Sequence, residues 1–323
     1  MCTCITVKNG DHYFGRNLDL ERRFGEKVVI TPRDYEFKLR NGETIRTKYA
    51  VIGMAVAAGG YPLYADAANE KGLAMAGLYF PGYAKFFPAE EGRLNLAPFE
   101  LFPWFLGQYE TVAQVRRDAE RLNLTDTAFG AGLPVTAMHW MIADGDECIV
   151  LEQTEEGLRV YDDPAGVLTN SPPFPHHLTN LSNYANLAPK NGESGFAPGL
   201  NLPRYGQGMG AIGLPGDASP MSRFVRSAFN KLNSCWGDTE DSAVTQFFRV
   251  LDSVVMVRGA VVMDSGEYDI TTYSCCINAG KGIYYYKTYE NSRITAVKMT
   301  EKEKSAQNLT VRALRDEQDI YWD

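Results

Sequence analysis

The sequence predicts a layered α+β fold, on three observations. Short β-like runs crowd both ends of the chain, helical periodicities are confined to the middle, and no linker is clean enough to divide the 323 residues into domains. The expectation is a single domain over 1–323. It opens on a hairpin, because Asn9-Gly10-Asp11 lies between Ile5–Val7 and Tyr13-Phe14, and Asn-Gly supplies the positive φ angles of a tight two-residue turn. Cys2 then begins the first strand, and Arg16 to Asp19 leave the second. Further strands are expected at 28–31, 51–57, 73–79, 139–143, 148–152 and 158–161, and later at 268–275, 282–286 and 294–297.

Helices are marked by their caps. Thr111 with Gln114 has capping-box spacing ahead of Val112, Val115, Ala119 and Leu122. Ser219 as N-cap with Pro220 at the first helical position starts a second helix, carrying Phe224, Val225 and Phe229. Val244, Phe247, Phe248, Leu251 and Val254 form a third apolar stripe. The segment 189–216, rich in Gly, Pro and Asn, reads as a long excursion.

Composition narrows the function. With 45% hydrophobic and 22% charged residues and no apolar run long enough to span a bilayer, a membrane protein is not expected. Lys8, Asn9, Gly10 and Asp11 interrupt any secretory h-region, so a cytoplasmic location is expected. Six cysteines are too sparse for a disulfide scaffold, and free thiols are the expectation. A net charge of −8 without clustered Lys and Arg argues against nucleic-acid binding, and an anionic substrate would need individual arginines to attract it.

Cys2 is the focus of the chemistry. Methionine aminopeptidases trim Met1 before a small side chain, which would leave thiol and free α-amine on one residue. An amine of pKa about 7.7–8.0 is partly neutral at physiological pH and can take the proton of a thiol near about 8.5. No catalytic histidine is then required, and none of His12, His139, His176 and His177 sits in a recognisable catalytic motif. Three other readings stand beside this one: a small buried residue, a thiolate metal site shared with Cys4, or a lipid anchor. Arg16 and Asp19 can be brought near Cys2 by the hairpin, the first favouring thiolate and the second holding the terminal ammonium; a surface ion pair is the alternative. Arg223 falls in the first turn of its helix, where the macrodipole disfavours a cation by roughly 0.3–1 kcal/mol, so another partner is expected to hold it there.

The motifs Met-Cys-Thr, Phe14-Gly15-Arg16-Asn17-Leu18-Asp19, Asn69-Glu70-Lys71-Gly72-Leu73, Leu168-Thr169-Asn170-Ser171-Pro172, Gly213-Leu214-Pro215-Gly216-Asp217 and Ser222-Arg223-Phe224 occur in order over most of the chain. Together they resemble the choloylglycine hydrolase family, the conjugated bile salt hydrolases and penicillin V acylases. The resemblance implies an N-terminal-nucleophile hydrolase with a four-layer αββα sandwich, often tetrameric, that needs no cofactor or metal and cleaves a small-molecule amide through a thioester on Cys2. It implies roles for Arg16 and Asp19 beside the thiol and amine, for Asn170 as oxyanion donor and for Arg223 as a further cation. It also implies that 189–216 serves assembly.

Tyr79 departs from the bile-salt pattern, in which asparagine is usual; tyrosine is more typical of penicillin V acylases. The segments Gly77-Leu78-Tyr79-Phe80-Pro81-Gly82-Tyr83 and Ser274-Cys275-Cys276 look closer to the bile-salt branch, so hydrolysis of glycine- or taurine-conjugated bile acids is the first expectation and penicillin V the second. Phe24, Tyr61 and Phe129 are candidates for the mouth of an apolar pocket. A non-catalytic binder that keeps Met1 is the rival from another class. Gly208-Met209-Gly210-Ala211-Ile212-Gly213 matches G-x-G-x-x-G, yet it follows no strand and runs into Leu214-Pro215-Gly216, so dinucleotide binding is rejected.

Overall fold

Cys2–Asn9 and Asp11–Leu20 form the expected hairpin in the computed structural model, which describes residues 1–323. The turn is tighter than expected. Asn9 pairs directly with Asp11, and only Gly10 takes a positive φ, 69°. A residue without a Cβ enters that region at no steric cost, so one glycine closes the turn alone.

This hairpin is central to a six-stranded antiparallel sheet, in the order Val167–Leu168, Cys2–Asn9, Asp11–Leu20, Ile270–Asn278, Ile283–Thr288 and Thr295–Lys298. The two ends of the chain therefore meet where Asp11–Leu20 pairs with Ile270–Asn278. Gly15 makes that approach possible, because a Cβ there would lie 2.1 Å from the Cys275 carbonyl oxygen. A second sheet has eight strands, in the order Gly157–Asp162, Cys148–Thr154, Met138–Ala143, Ala74–Tyr79, Tyr61–Asn69, Val51–Ala58, Lys27–Thr31 and Thr310–Arg312.

Helices cover both outer faces. Pro220–Leu232 and Glu240–Asp252 pack on the six-stranded sheet, with Phe224, Phe247 and Leu251 fully buried. Leu101–Gln108 and Val112–Ala119 pack on the eight-stranded sheet through Leu101, Phe105 and Val115. One apolar cluster runs between the sheets and under the first helix pair, and a second fills the space under the other pair. The result is the four-layer αββα sandwich.

The capped helices fall where their caps predict. Ser219 Oγ accepts from the Ser222 N–H at 3.4 Å, and the Thr111–Gln114 box closes with a 3.0 Å bond from the Thr111 N–H to Gln114 Oε1. Leu101–Gln108 is a helix the sequence does not announce, since it is buried nearly all round and carries Pro103 and Gly107. Phe174–Leu181 and the strand Tyr61–Asn69 are likewise additions. Met209–Ala211 within the glycine motif is a single 3₁₀ turn.

Candidate active site

Cys2 is buried and lines a cavity of about 450 Å³. The walls are mainly apolar, among them Leu18, Phe24, Met54, Leu63 and Met138, while Arg16, Asp269 and Tyr273 bring polar groups to the same space. Strand register explains how the charges arrive. Cys4 lies opposite Arg16 and Cys2 opposite Leu18, so Arg16 projects from the sheet face that Cys2 and Cys4 share. Asp19, of opposite parity, points to the other face, toward the helix Pro220–Leu232 that carries Arg223. The backbone of Cys2 thus runs between two buried cations.

Arg16 is fully buried, donating through Nη1 to the carbonyls of Gly77 at 2.5 Å and Ala65 at 3.1 Å. Its Nη2 has no protein partner. Burial works against its charge, but Cys2, Tyr273, Asp66 and Cys4 around it favour the charged form and hold its proton more firmly than usual. Asp66 is anchored behind it by the hydroxyls of Tyr273 and Tyr284, each at 2.6 Å, and by the Cys275 thiol.

Arg223 is also fully buried. Its guanidinium donates to the carbonyl of Ala218 at 2.9 Å, to the carbonyl of Cys2, to Thr3 Oγ1 at 2.7 Å and to Asn170 Oδ1 at 2.7 Å. These acceptors are what outweigh the helix N-terminus. Burial pushes Arg223 down and Asp19 up from their ordinary values, each offset in part by attraction to the other. Asp19 Oδ1 accepts from the Thr271 hydroxyl at 2.6 Å, while its Oδ2 is buried without a partner.

Asn170 joins these parts. Its Oδ1 accepts from the Cys2 N–H at 2.9 Å as well as from Arg223, and its Nδ2 donates to the Tyr79 carbonyl at 2.7 Å, leaving the second Nδ2 hydrogen for another acceptor. With Met1 in place the Cys2 nitrogen is an amide. The Met1 ammonium itself donates to the Asp19 carbonyl at 2.6 Å and pairs with Asp269 Oδ2 at 3.0 Å. Asp269 Oδ1 is a second buried acceptor without a partner.

Of the pocket candidates, Phe24 and Tyr79 line the Cys2 cavity, both substantially exposed. Tyr61 and Phe129 do not, which corrects the expectation. Tyr61 stands four residues before Ala65 on its strand, about 13 Å along, and its ring packs against Phe37, Phe99 and Phe129. Phe129 lines a neighbouring cavity of about 220 Å³, which meets the first only across Leu63, Thr136 and Met138.

The pattern of the linear amide C–N hydrolases, choloylglycine hydrolase family, matches residues 2–312. The chain belongs to this family. A "Bile salt hydrolase/transferase" of Lactiplantibacillus plantarum is 45% identical over 99% of this chain and 99% of its own. A "Conjugated bile acid hydrolase" of Lactobacillus acidophilus is 39% identical over 93% and 96% of the two chains. Among solved structures, the C2A mutant of the conjugated bile acid hydrolase from Clostridium perfringens superposes with a TM-score of 0.92 at 36% identity, covering 100% of this chain and 99% of that one. Penicillin V acylase from Agrobacterium tumefaciens, at 18% identity and a TM-score of 0.73 over 93% and 87% of the chains, shares the fold. This family member is an enzyme, so the non-catalytic binder is set aside.

Several residues of the site escape sequence reasoning. Asp66, Asp269 and Thr271 come from segments far from the hairpin in sequence and carry no motif. Asp66 alone leaves a signal, a lone acid among the alanines of Tyr61–Asn69.

Proposed function

We propose that this enzyme hydrolyses the amide bond of glycine- or taurine-conjugated bile acids through an acyl-Cys2 thioester. The observation that carries the reading is the position of Cys2, at the meeting of an apolar cavity large enough for a small hydrophobic ligand and a cluster of buried charge. The bile-acid names of full-length relatives support the substrate class.

In this reading removal of Met1 frees the Cys2 amine, which takes the thiol proton as the sulfur attacks the substrate carbonyl. The amine keeps Asn170 Oδ1 as its acceptor and gains access to the unpartnered oxygens of Asp19 and Asp269. Arg16 favours the thiolate. The free Nδ2 hydrogen of Asn170 and the Tyr79 backbone N–H receive the oxyanion of the tetrahedral intermediate. The protonated amine then donates to the leaving nitrogen, the glycine or taurine departs, and water cleaves the thioester, returning the thiol. Arg223 fixes Asn170 and the Cys2 carbonyl throughout.

Penicillin V hydrolysis is the second reading, favoured by the Tyr79 ring on the cavity wall, which offers a surface for a phenoxy group. Parallel assays of glycocholate, taurocholate and penicillin V with wild type and Tyr79→Asn decide between them. Bile salts are expected to be the better substrates for both proteins. Preference for penicillin V by orders of magnitude, reversed by the substitution, would overturn the bile-salt reading.

The same proposal takes the chain as one domain working in the cytoplasm as a homotetramer. The segment 189–216 is its assembly element, on the ground that Phe196 and Tyr205 are more than four-fifths exposed.

A further inference from the structure

Two histidines that lie outside the Cys2 cavity are both bonded to the segment that carries Asn170. His139, on the strand Met138–Ala143, is fully buried; its Nε2 faces the Thr169 carbonyl at 3.0 Å and its Nδ1 faces Glu152 Oε1 at 2.9 Å. A carbonyl can only accept, so Nε2 carries a proton and donates it to Thr169. Glu152, also fully buried, accepts in turn from the Phe174 N–H at 3.0 Å, at the start of the helix Phe174–Leu181. The Phe80 ring stacks on the imidazole at 4.4 Å and 5°. His139 is therefore fixed on one edge, one face and both nitrogens.

His177, in the first turn of the helix Phe174–Leu181, reaches back to the same segment. Its Nε2 lies 2.8 Å from the Asn170 carbonyl and 3.0 Å from that of Pro172, two acceptors that again require Nε2 to be the donor. Its ring stacks on Phe224 at 5.0 Å, the residue next to Arg223. The carbonyls of Thr169, Asn170 and Pro172 are thus all held by imidazole N–H groups. Side-chain bonds from Thr169 Oγ1 to the Pro220 carbonyl and from Ser171 Oγ to the Pro81 carbonyl tie the remaining edges, each at or below 2.9 Å.

Neither histidine lines the cavity, so neither can exchange a proton with Cys2 directly. We infer that His139, oriented by Glu152, and His177 are positioning residues that fix the Asn170 backbone so that its side-chain amide meets the developing oxyanion. The inference rests on the proposed role of Asn170. Its physical basis is that an oxyanion donor acts only when pre-aimed, and a displacement of about 1 Å can cost on the order of 10²-fold in rate.

The test is a double-mutant cycle on the full-length, Met1-trimmed enzyme with glycocholate. His177→Phe keeps the ring and its stack on Phe224, removes the donor and strands no charge. His139→Phe combined with Glu152→Gln removes the second imidazole without leaving a carboxylate unpaired. Each is expected to lower kcat by about tenfold or more while KM and the rate of Cys2 alkylation by iodoacetamide stay within about twofold of wild type. His177→Gln, which still offers an N–H, is expected to recover most of the loss. In an Asn170→Ala background the histidine substitutions are expected to add nothing further.

Thermal melts identify the folded variants. Folded variants with unchanged kcat would overturn the inference, and so would a parallel fall in kcat, in 1/KM and in alkylation rate. Losses that multiply undiminished onto Asn170→Ala would also overturn it, while leaving the role of Asn170 intact. Wild-type kcat in Asn170→Ala alone would instead overturn the parent reading.

Discussion

The outer face of the eight-stranded sheet and the floor of the cavity around Cys2 both bury their side chains, yet they are filled in opposite ways. Under Leu101–Gln108 the filling is apolar, with Leu101, Phe105, Leu106 and Ile142 in contact and Trp140 Nε1 the one buried polar atom of that cluster lacking a partner. Around Cys2 stand Arg16, Asp19, Asp66 and Arg223, all at 0% exposure, and four buried atoms without partners: Arg16 Nη2, Asn17 Oδ1, Asp19 Oδ2 and Asp269 Oδ1. Each such group costs about 1–3 kcal/mol. Stability alone would not retain them in one place. The comparison teaches that the outer layer holds the fold and the Cys2 end spends stability on chemistry.

Substitutions in the two regions should separate accordingly. Asn170→Ala is expected to lower kcat by about 10²–10³, with a much smaller change in melting temperature, as measured by steady-state assay and thermal melt. Leu106→Ala, in the outer layer, should do the reverse: a loss of about 2–5 kcal/mol in urea unfolding, with kcat per folded molecule unchanged. If the two substitutions had similar effects on kcat, the division of labour between the regions would fail.

A pH dependence sharpens the same contrast. Burial lowers His177 to about 4, although the carbonyls of Asn170 and Pro172 favour its charged form; His139 and Arg223 nearby disfavour it. A histidine depressed in the folded state binds fewer protons there than in the unfolded chain, whose value is near 6.5. Its contribution is therefore complete above about pH 6.5 and is lost as pH falls toward about 4, a change of about 3 kcal/mol. Urea titrations from pH 7 to 4 should show this slope in the wild type and a shallower one in His177→Phe. The smallest effect is expected at the exposed Lys8–Asp146 pair, 62% and 82% accessible, where Lys8→Ala should leave both the melt and kcat unchanged.

What the sequence reveals of this site follows from how local each signal is. The hairpin puts Arg16 and Asp19 within reach of Cys2 by strand pairing alone, and the Ser219-Pro220 cap places Arg223, so these are legible from neighbouring residues. Asn170 is legible only through its motif. Asp66 and His139 act across the gap between sheets, Asp269 meets Met1 from the other end of the chain, and His177 reaches back from its helix to the Asn170 carbonyl; no period or motif along the chain reports these contacts. The pocket aromatics show the same limit: Phe24 sits in a loop beside the hairpin and lines the cavity, whereas the placement of Tyr61 and Phe129 depends on packing against Phe37 and Phe99. For the fold, amphipathic helices with caps are readable, but Leu101–Gln108 is not, because a helix buried nearly all round has no polar face to set its period.

The central claim is that the sulfur of a trimmed, chain-terminal Cys2 carries the acyl group. Intact and peptide mass spectrometry of active enzyme, acid-quenched during turnover of glycocholate, tests it most directly. The account expects a chain lacking one methionine, with a cholyl adduct confined to Cys2 and absent from a trimmed, folded Cys2→Ala protein. Full activity in a preparation that retains Met1, or turnover by the Cys2→Ala protein, would contradict it.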